Sequence, residues 1–84
     1  MNAVPVIDMA KTGANITKIR TRAGISVREL QAMLGFATPQ AIYKWQQGRA
    51  LPTLDNLAAL AFICCVPIDE ILVFEEAFEK IRPA

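Results

Sequence analysis

Gln40, Tyr43, Lys44 and Gln47 recur at i, i+3, i+4 and i+7, so on a helix they share one face. They offer amide, hydroxyl and ammonium groups with no carboxylate among them. An amide can pair bidentately with adenine, an ammonium group reaches guanine acceptors, and all of these groups can bond phosphate oxygens. The other side of the same stretch carries Ala41, Ile42 and Trp45, which can pack into a core. A short helix with these two faces is suited to lie on duplex DNA.

The charge distribution points the same way. The net charge of +1 over 84 residues conceals a segregation. Through Thr53, the basic residues Lys11, Lys18, Arg20, Arg22, Arg28, Lys44 and Arg49 far outnumber Asp8 and Glu29. From Leu54 onward, Asp55, Asp69, Glu70, Glu75, Glu76 and Glu79 outnumber Lys80 and Arg82. A basic half beside an acidic half suits a molecule that turns one face to a polyanion and the other away.

Several function classes are disfavoured. The chain has no histidine, which removes imidazole acid–base and triad chemistry. Phosphate-loop and dinucleotide-binding glycine patterns are absent from the sequence. Neither a cofactor nor a metal is implied, because Cys64 and Cys65 are adjacent and have no histidine to complete a site. Neighbouring helical cysteines do not form an ordinary bridge, so free and largely packed thiols are expected. No apolar run reaches the roughly 18 residues needed to span a membrane. Asp8 interrupts the N-terminal apolar stretch early, unlike a secretory leader, and a cytoplasmic protein is expected.

The size implies one domain, and the pattern divides it into an N-terminal arm (1–11), a helical body (12–73) and an amphipathic tail (74–84). A first helix is predicted from about Thr12 or Gly13 to Ala23, with Ile16, Ile19 and Ala23 inward and Gly24 as its stop. Ser26 caps a second helix, and Glu29 three residues on completes a capping box. Val27, Leu30 and Leu34 form its buried stripe, Gln31 edges that face, and Gly35 ends it. Thr38 and Pro39 then read as cap and first residue of a third helix ending at Gln47 before Gly48. Thr53 caps a fourth helix with Leu54, Leu57, Ala58, Ala61, Cys64 and Cys65 on one stripe. Ala59, Phe62, Ile63 and Val66 lie on another, facing away from the expected core. Pro67 is predicted to open a short fifth helix through Leu72. Phe74, Ala77, Phe78 and Ile81 repeat at helical spacing in the tail.

The ordered series Arg20…Gly24-Ile25-Ser26…Glu29-Leu30…Leu34-Gly35, Ile42…Trp45…Gly48, Pro52…Leu54…Leu57…Ala61 and Val66-Pro67-Ile68-Asp69-Glu70-Ile71-Leu72 resembles the Cro/repressor-type (XRE-like) helix-turn-helix family. The resemblance covers roughly residues 12–73. It implies an all-α, compact five-helix, lambda-repressor-like domain, here with an extra C-terminal helix in prospect. It also implies sequence-specific binding of double-stranded DNA at a pseudo-palindromic operator by a homodimer. Residue by residue, Thr38, Gln40, Tyr43 and Lys44 would face bases or adjacent phosphates. Arg20, Ser26, Arg28, Gln47 and Arg49 would hold the backbone on either side.

The chain departs from the family pattern at four places. The span from Gly35 to Ile42 is one residue longer than in the commonest family turn. Gln31 stands where relatives carry a small residue. Arg20 faces Gln46 where many relatives pair Arg with Glu, leaving its charge freer for a phosphate. Cys65 and Pro67 replace the Gly and Ser often found at the end of the fourth helix.

Two functions remain in view at this level. One is a transcriptional regulator, most simply a repressor acting by occupancy in a chain too short for a separate effector domain. Its dimer interface would then use Phe62, Ile63, Phe74, Phe78 and Ile81, the alternative being that the tail folds back over the fourth helix within one subunit. The other is a protein-interaction module such as an antitoxin or adaptor, for which exposed apolar stripes suit equally well.

Overall fold

The first helix begins earlier than its sequence pattern predicts because Asp8 caps it. The computed structural model describes residues 4–75. In it α1 spans Met9–Arg22, and the Asp8 carboxylate accepts the Lys11 N–H at 2.9 Å. Met9 to Lys11, expected in the arm, therefore form the first turn. Ile16 and Ile19 are buried as predicted, whereas Ala23 is exposed at the C-cap. Gly24 follows at φ 74°, a left-handed conformation that costs glycine little.

Helix α2 spans Val27–Leu34. Its capping box is complete: Ser26 Oγ accepts from Glu29 N at 3.0 Å, and Glu29 Oε1 accepts from Ser26 N at 2.9 Å. Gly35 closes it at φ 72°. Leu30 is fully buried, and Val27 and Leu34 pack against the core from its edge. After a short turn, helix α3 spans Gln40–Gln46. Pro39 occupies its N-cap position rather than its first turn. The Thr38 hydroxyl still accepts the Gln40 N–H, at 3.4 Å.

Helix α4 spans Leu54–Cys64, with Thr53 Oγ1 accepting from Asn56 N at 3.3 Å. Its buried residues are Leu57, Leu60, Ala61 and Cys64. The buried face differs in phase from the predicted stripe: Leu54 and Ala58 are exposed, whereas Leu60, outside that stripe, is completely buried. Ile63 and Val66, expected to face outward, pack partly against the core. Cys64 is buried but Cys65 is exposed, so only one of the two thiols is packed.

The fifth helix is not formed. Ile68–Glu70 make a single 3-10 turn after Pro67, and Ile71 drops into the core. The backbone beyond finds partners elsewhere. Asn15 Nδ2 donates to the carbonyls of Glu70 at 2.7 Å and Ile71 at 3.0 Å. The Thr12 hydroxyl donates to the Val73 carbonyl at 3.2 Å and accepts its N–H at 2.9 Å. Groups that would have continued a helix are thus satisfied by α1. Ile7 and Phe74 form an antiparallel bridge, flanked by Asp8 N to Val73 O at 2.7 Å and Glu75 N to Val6 O at 2.8 Å. Phe74 consequently lies in an extended segment rather than opening a tail helix. The rest of that expected helix, including Phe78 and Ile81, lies outside the described residues.

One core joins these parts: Ile16 and Ile19 of α1, Leu30 of α2, Ile42 and Trp45 of α3, Leu57 and Leu60 of α4, and Ile71 beyond it. Phe36, in the turn between α2 and α3, meets Trp45 edge to face with ring centroids 5.8 Å apart, so the turn itself is held by the core. Among the described residues no helix is long and apolar enough to cross a membrane.

Candidate nucleic-acid interface

Helix α3 is fixed from behind by two buried side chains, Ile42 and Trp45. Its other side is open: Gln40, Tyr43 and Lys44 are exposed, as is Gln47 just past its end. These four residues and Arg49 line one shallow cleft of about 280 Å³. No carboxylate lines it. Arg49 stays beside the helix through a long hydrogen bond from its NH1 to Gln47 Oε1, at 3.5 Å. Five of the residues singled out in the sequence are therefore brought together on one surface.

Tyr43 is 45% exposed and also borders a second, larger groove between α2 and α3. Arg28 lies across that groove on α2, exposed. Thr38 and Ser26 are exposed at the starts of the two helices, each hydroxyl accepting a backbone N–H. Hydroxyls used in this way retain their own proton for donation to an anion.

Arg20 is placed differently from the rest. Its guanidinium is half-buried, with Nε donating to Gln46 Oε1 at 2.9 Å and NH1 to the Ile25 carbonyl at 2.8 Å. The hydrogen bond to Gln46 forms as the pattern anticipates. Far from freeing the charge, the neutral partner still draws Arg20 inward, because a half-buried guanidinium needs acceptors whether or not they are charged.

The orientation of α3 depends on residues that sequence patterning missed. Gly13 lies buried in α1 against the end of α3. A Cβ there would collide with the Trp45 carbonyl and lie 2.7 Å from the Gln46 carbonyl and 2.8 Å from Gly48 N. Gly48 reciprocates: a Cβ on it would lie 2.9 Å from Ala10 Cα. The two glycines let the backbones of α1 and the α3 end approach more closely than side chains would permit. The available signal was a glycine inside a helical stretch, which is unfavourable unless close packing requires it. Gln31 turns its amide to the Phe36 carbonyl at 3.2 Å and so braces the turn between α2 and α3.

The residues assigned to a dimer contact divide. Phe62 is 85% exposed, but Ile63 is half-buried against the core and Phe74 is half-buried in the bridge to Ile7. Phe78 and Ile81 are not among the described residues.

Comparison with known proteins agrees with this geometry. The helix-turn-helix family model HTH_3, of the XRE/Cro type, matches residues 16–71, more than half of the chain. No curated protein matches significantly. Among solved structures, the restriction-modification controller protein C.AhdI from Aeromonas hydrophila is similar, with 23% identity over 76% of this chain and 96% of that one, at a TM-score of 0.67. The DNA-binding domain of BldD from S. venezulae shares 26% identity over 77% of this chain and 96% of its own, at 0.65. The hypothetical transcription factor NHTF from Neisseria shares 20% over 87% and 83%, at 0.66. At their identities, C.AhdI and NHTF speak to the fold alone. Among the described residues the lambda-repressor-like arrangement is thus realised with four α-helices and a 3-10 turn. Matched along its body and open along the outer face of α3, the chain belongs to the XRE/Cro-type helix-turn-helix family of DNA-binding transcription regulators, which are not enzymes.

Proposed function

We propose that this chain binds double-stranded DNA sequence-specifically as a cytoplasmic homodimer at a pseudo-palindromic operator, and represses transcription by occupying it. The observation that carries this reading is the carboxylate-free cleft that Gln40, Tyr43, Lys44, Gln47 and Arg49 share. Gln40 and Lys44 read base edges from the major groove, with Tyr43 and Thr38 beside them. Ser26, Arg28, Gln47 and Arg49 hold phosphates and set the register of α3. Arg20 acts mainly from behind, keeping α1 on α3, and only its outer N–H groups remain for a phosphate. Repression by occupancy requires nothing beyond the bound domain.

Exposed apolar surface on α4 supports the dimer. Phe62 is 85% and Leu54 77% exposed, and Ala58 and Cys65 lie on the same side of the helix. A two-fold pairing through this face, joined by the tail residues Phe78 and Ile81, would set two reading helices about 34 Å apart, one turn of duplex. Ile63 contributes at its edge, while Phe74 is engaged in the bridge to Ile7. Sedimentation at tens of micromolar should give a dimer; a monomer there contradicts this part of the proposal.

The same apolar face favours a second reading, a protein-interaction module of the antitoxin or adaptor kind. Lys44→Glu discriminates. Under the regulator reading it abolishes selective duplex binding while circular dichroism stays unchanged. Retention of the protein's activity by that variant would favour the interaction module. Affinity should also fall steeply with salt, by a logarithmic slope of about 0.9 for each phosphate contact.

A further inference from the structure

Among the described residues Thr12 is the one polar side chain that is buried, at 0% exposure. Its hydroxyl serves a single residue 61 positions along the chain, accepting the Val73 N–H at 2.9 Å and donating to the Val73 carbonyl at 3.2 Å. The Asp8 N–H donates to that same carbonyl at 2.7 Å. Asn15, three residues on and so on the same face of α1, holds the carbonyls of Glu70 and Ile71. This face of α1 is spent on the segment 70–73.

Another face of the same first turns meets the end of α3. A Cβ on Gly13 would lie 2.7 Å from the Gln46 carbonyl, and one on Gly48 would lie 2.9 Å from the Met9 carbonyl. Contact there is backbone against backbone, with no side chain between to absorb a shift. The first turn of a helix frays unless it is tied down. Helix α3 has seven residues, too few to hold its geometry alone. Its end is therefore placed by a turn of α1 that is itself placed by residues 70–73. We propose that the segment 70–73 is a latch on α1, and that Thr12 is the positioning residue through which this latch seats α3 for reading DNA. Thr12 touches no nucleotide and acts through the contact of Gly13 with the end of α3. The inference rests on the DNA-reading function proposed above and adds to it a control point on another helix. Loosening the latch leaves every charge in place but lets α3 shift, so discrimination between duplexes falls more than attraction to any duplex.

The test uses the full chain, with amide hydrogen exchange and fluorescence anisotropy as readouts. Thr12→Val keeps the side-chain volume and removes both hydrogen bonds, and Thr12→Ser restores the hydroxyl. Asn15→Ala loosens the same latch from a half-buried position and carries the test if Thr12→Val does not fold. The Gly48 and Arg49 amides donate to the Trp45 and Lys44 carbonyls at 3.0 and 2.9 Å. In Thr12→Val these two should exchange about tenfold faster, while the Ala23 and Phe36 amides that close α1 and α2 change little. Affinity for a duplex selected from a random pool should fall about tenfold, against about twofold or less for a random-sequence duplex, and Thr12→Ser should recover most of the difference. Gly24→Ala, destabilised elsewhere, should keep its discrimination. Protection lost evenly at all four amides, equal loss on both duplexes, or no recovery in Thr12→Ser would give Thr12 a role in stability alone and overturn the proposal. If the unmodified chain selects no duplex, the DNA-reading function falls, and the exchange comparison still decides whether the latch holds α3.

Discussion

Arg20 Nε donates to Gln46 Oε1 at 2.9 Å, tying α1 to the last turn of the helix that carries Gln40 and Lys44. A carboxylate in place of the Gln46 amide would add charge to an existing geometry. Gln46→Glu is expected to stabilise the fold by up to about 1 kcal/mol after solvent screening, read as a higher urea midpoint. Arg20→Met should instead cost about 1–3 kcal/mol, because the Ile25 carbonyl and the Gln46 amide both lose their partner.

Gly13 and Gly24 should respond very differently to alanine. A Cβ on Gly13 meets backbone of α3 and Gly48, which cannot move aside cheaply, so Gly13→Ala should cost about 3 kcal/mol and disturb DNA binding with it. Gly24 has nothing within 4 Å of such a Cβ and only its φ of +74° to satisfy. Gly24→Ala should cost about 1 kcal/mol and leave binding intact. Thermal unfolding and anisotropy on the two variants separate the cases.

The contrast between those two glycines also marks how far the sequence could be read. Signals completed within a few residues were legible: the Ser26–Glu29 box, the Gly35 stop, and the two faces of α3 with Gln40 and Lys44 outward. Gly13 resembles a helix boundary in sequence because its reason for being glycine sits on α3. Asp8 was missed as a cap for the same misjudged start. On α4 the phase was lost because the helix is apolar nearly all round, and no polar face marks which side Leu60 occupies. The 3-10 turn in place of a fifth helix depends on Thr12 and Asn15, whose bonds reach 55–61 residues along the chain. Local pattern carries no trace of such partners.

Cys65 ends α4 at φ 59° and ψ 44°, in the left-handed region and exposed. A side chain there costs about 1 kcal/mol relative to glycine. Cys65→Gly should therefore raise stability by about that amount in chemical denaturation. No change would contradict the assignment of that strain to Cys65.

The Glu29 carboxyl is held below its ordinary value, first by the backbone N–H of Ser26 and then by the Ser26 side chain. A carboxylate favoured in the folded state stabilises it fully above its unfolded pKa, and that contribution is lost as pH falls through the lowered folded value. The stability advantage of the wild type over Glu29→Gln should be greatest near neutral pH and shrink on acidification below about 4. Urea titrations of both proteins across that range would reveal it, and a constant difference would contradict it.

The outer face of α3 is proposed to read base sequence. Selection of bound duplexes from a random pool by the purified chain tests it most directly, with Gln40→Ala run in parallel. The expected result is an enriched motif with two inverted halves, and for Gln40→Ala a loss of about 1–3 kcal/mol on that motif with relaxed preference at one position per half. No enrichment, with only weak binding that disappears as salt is raised, would contradict it.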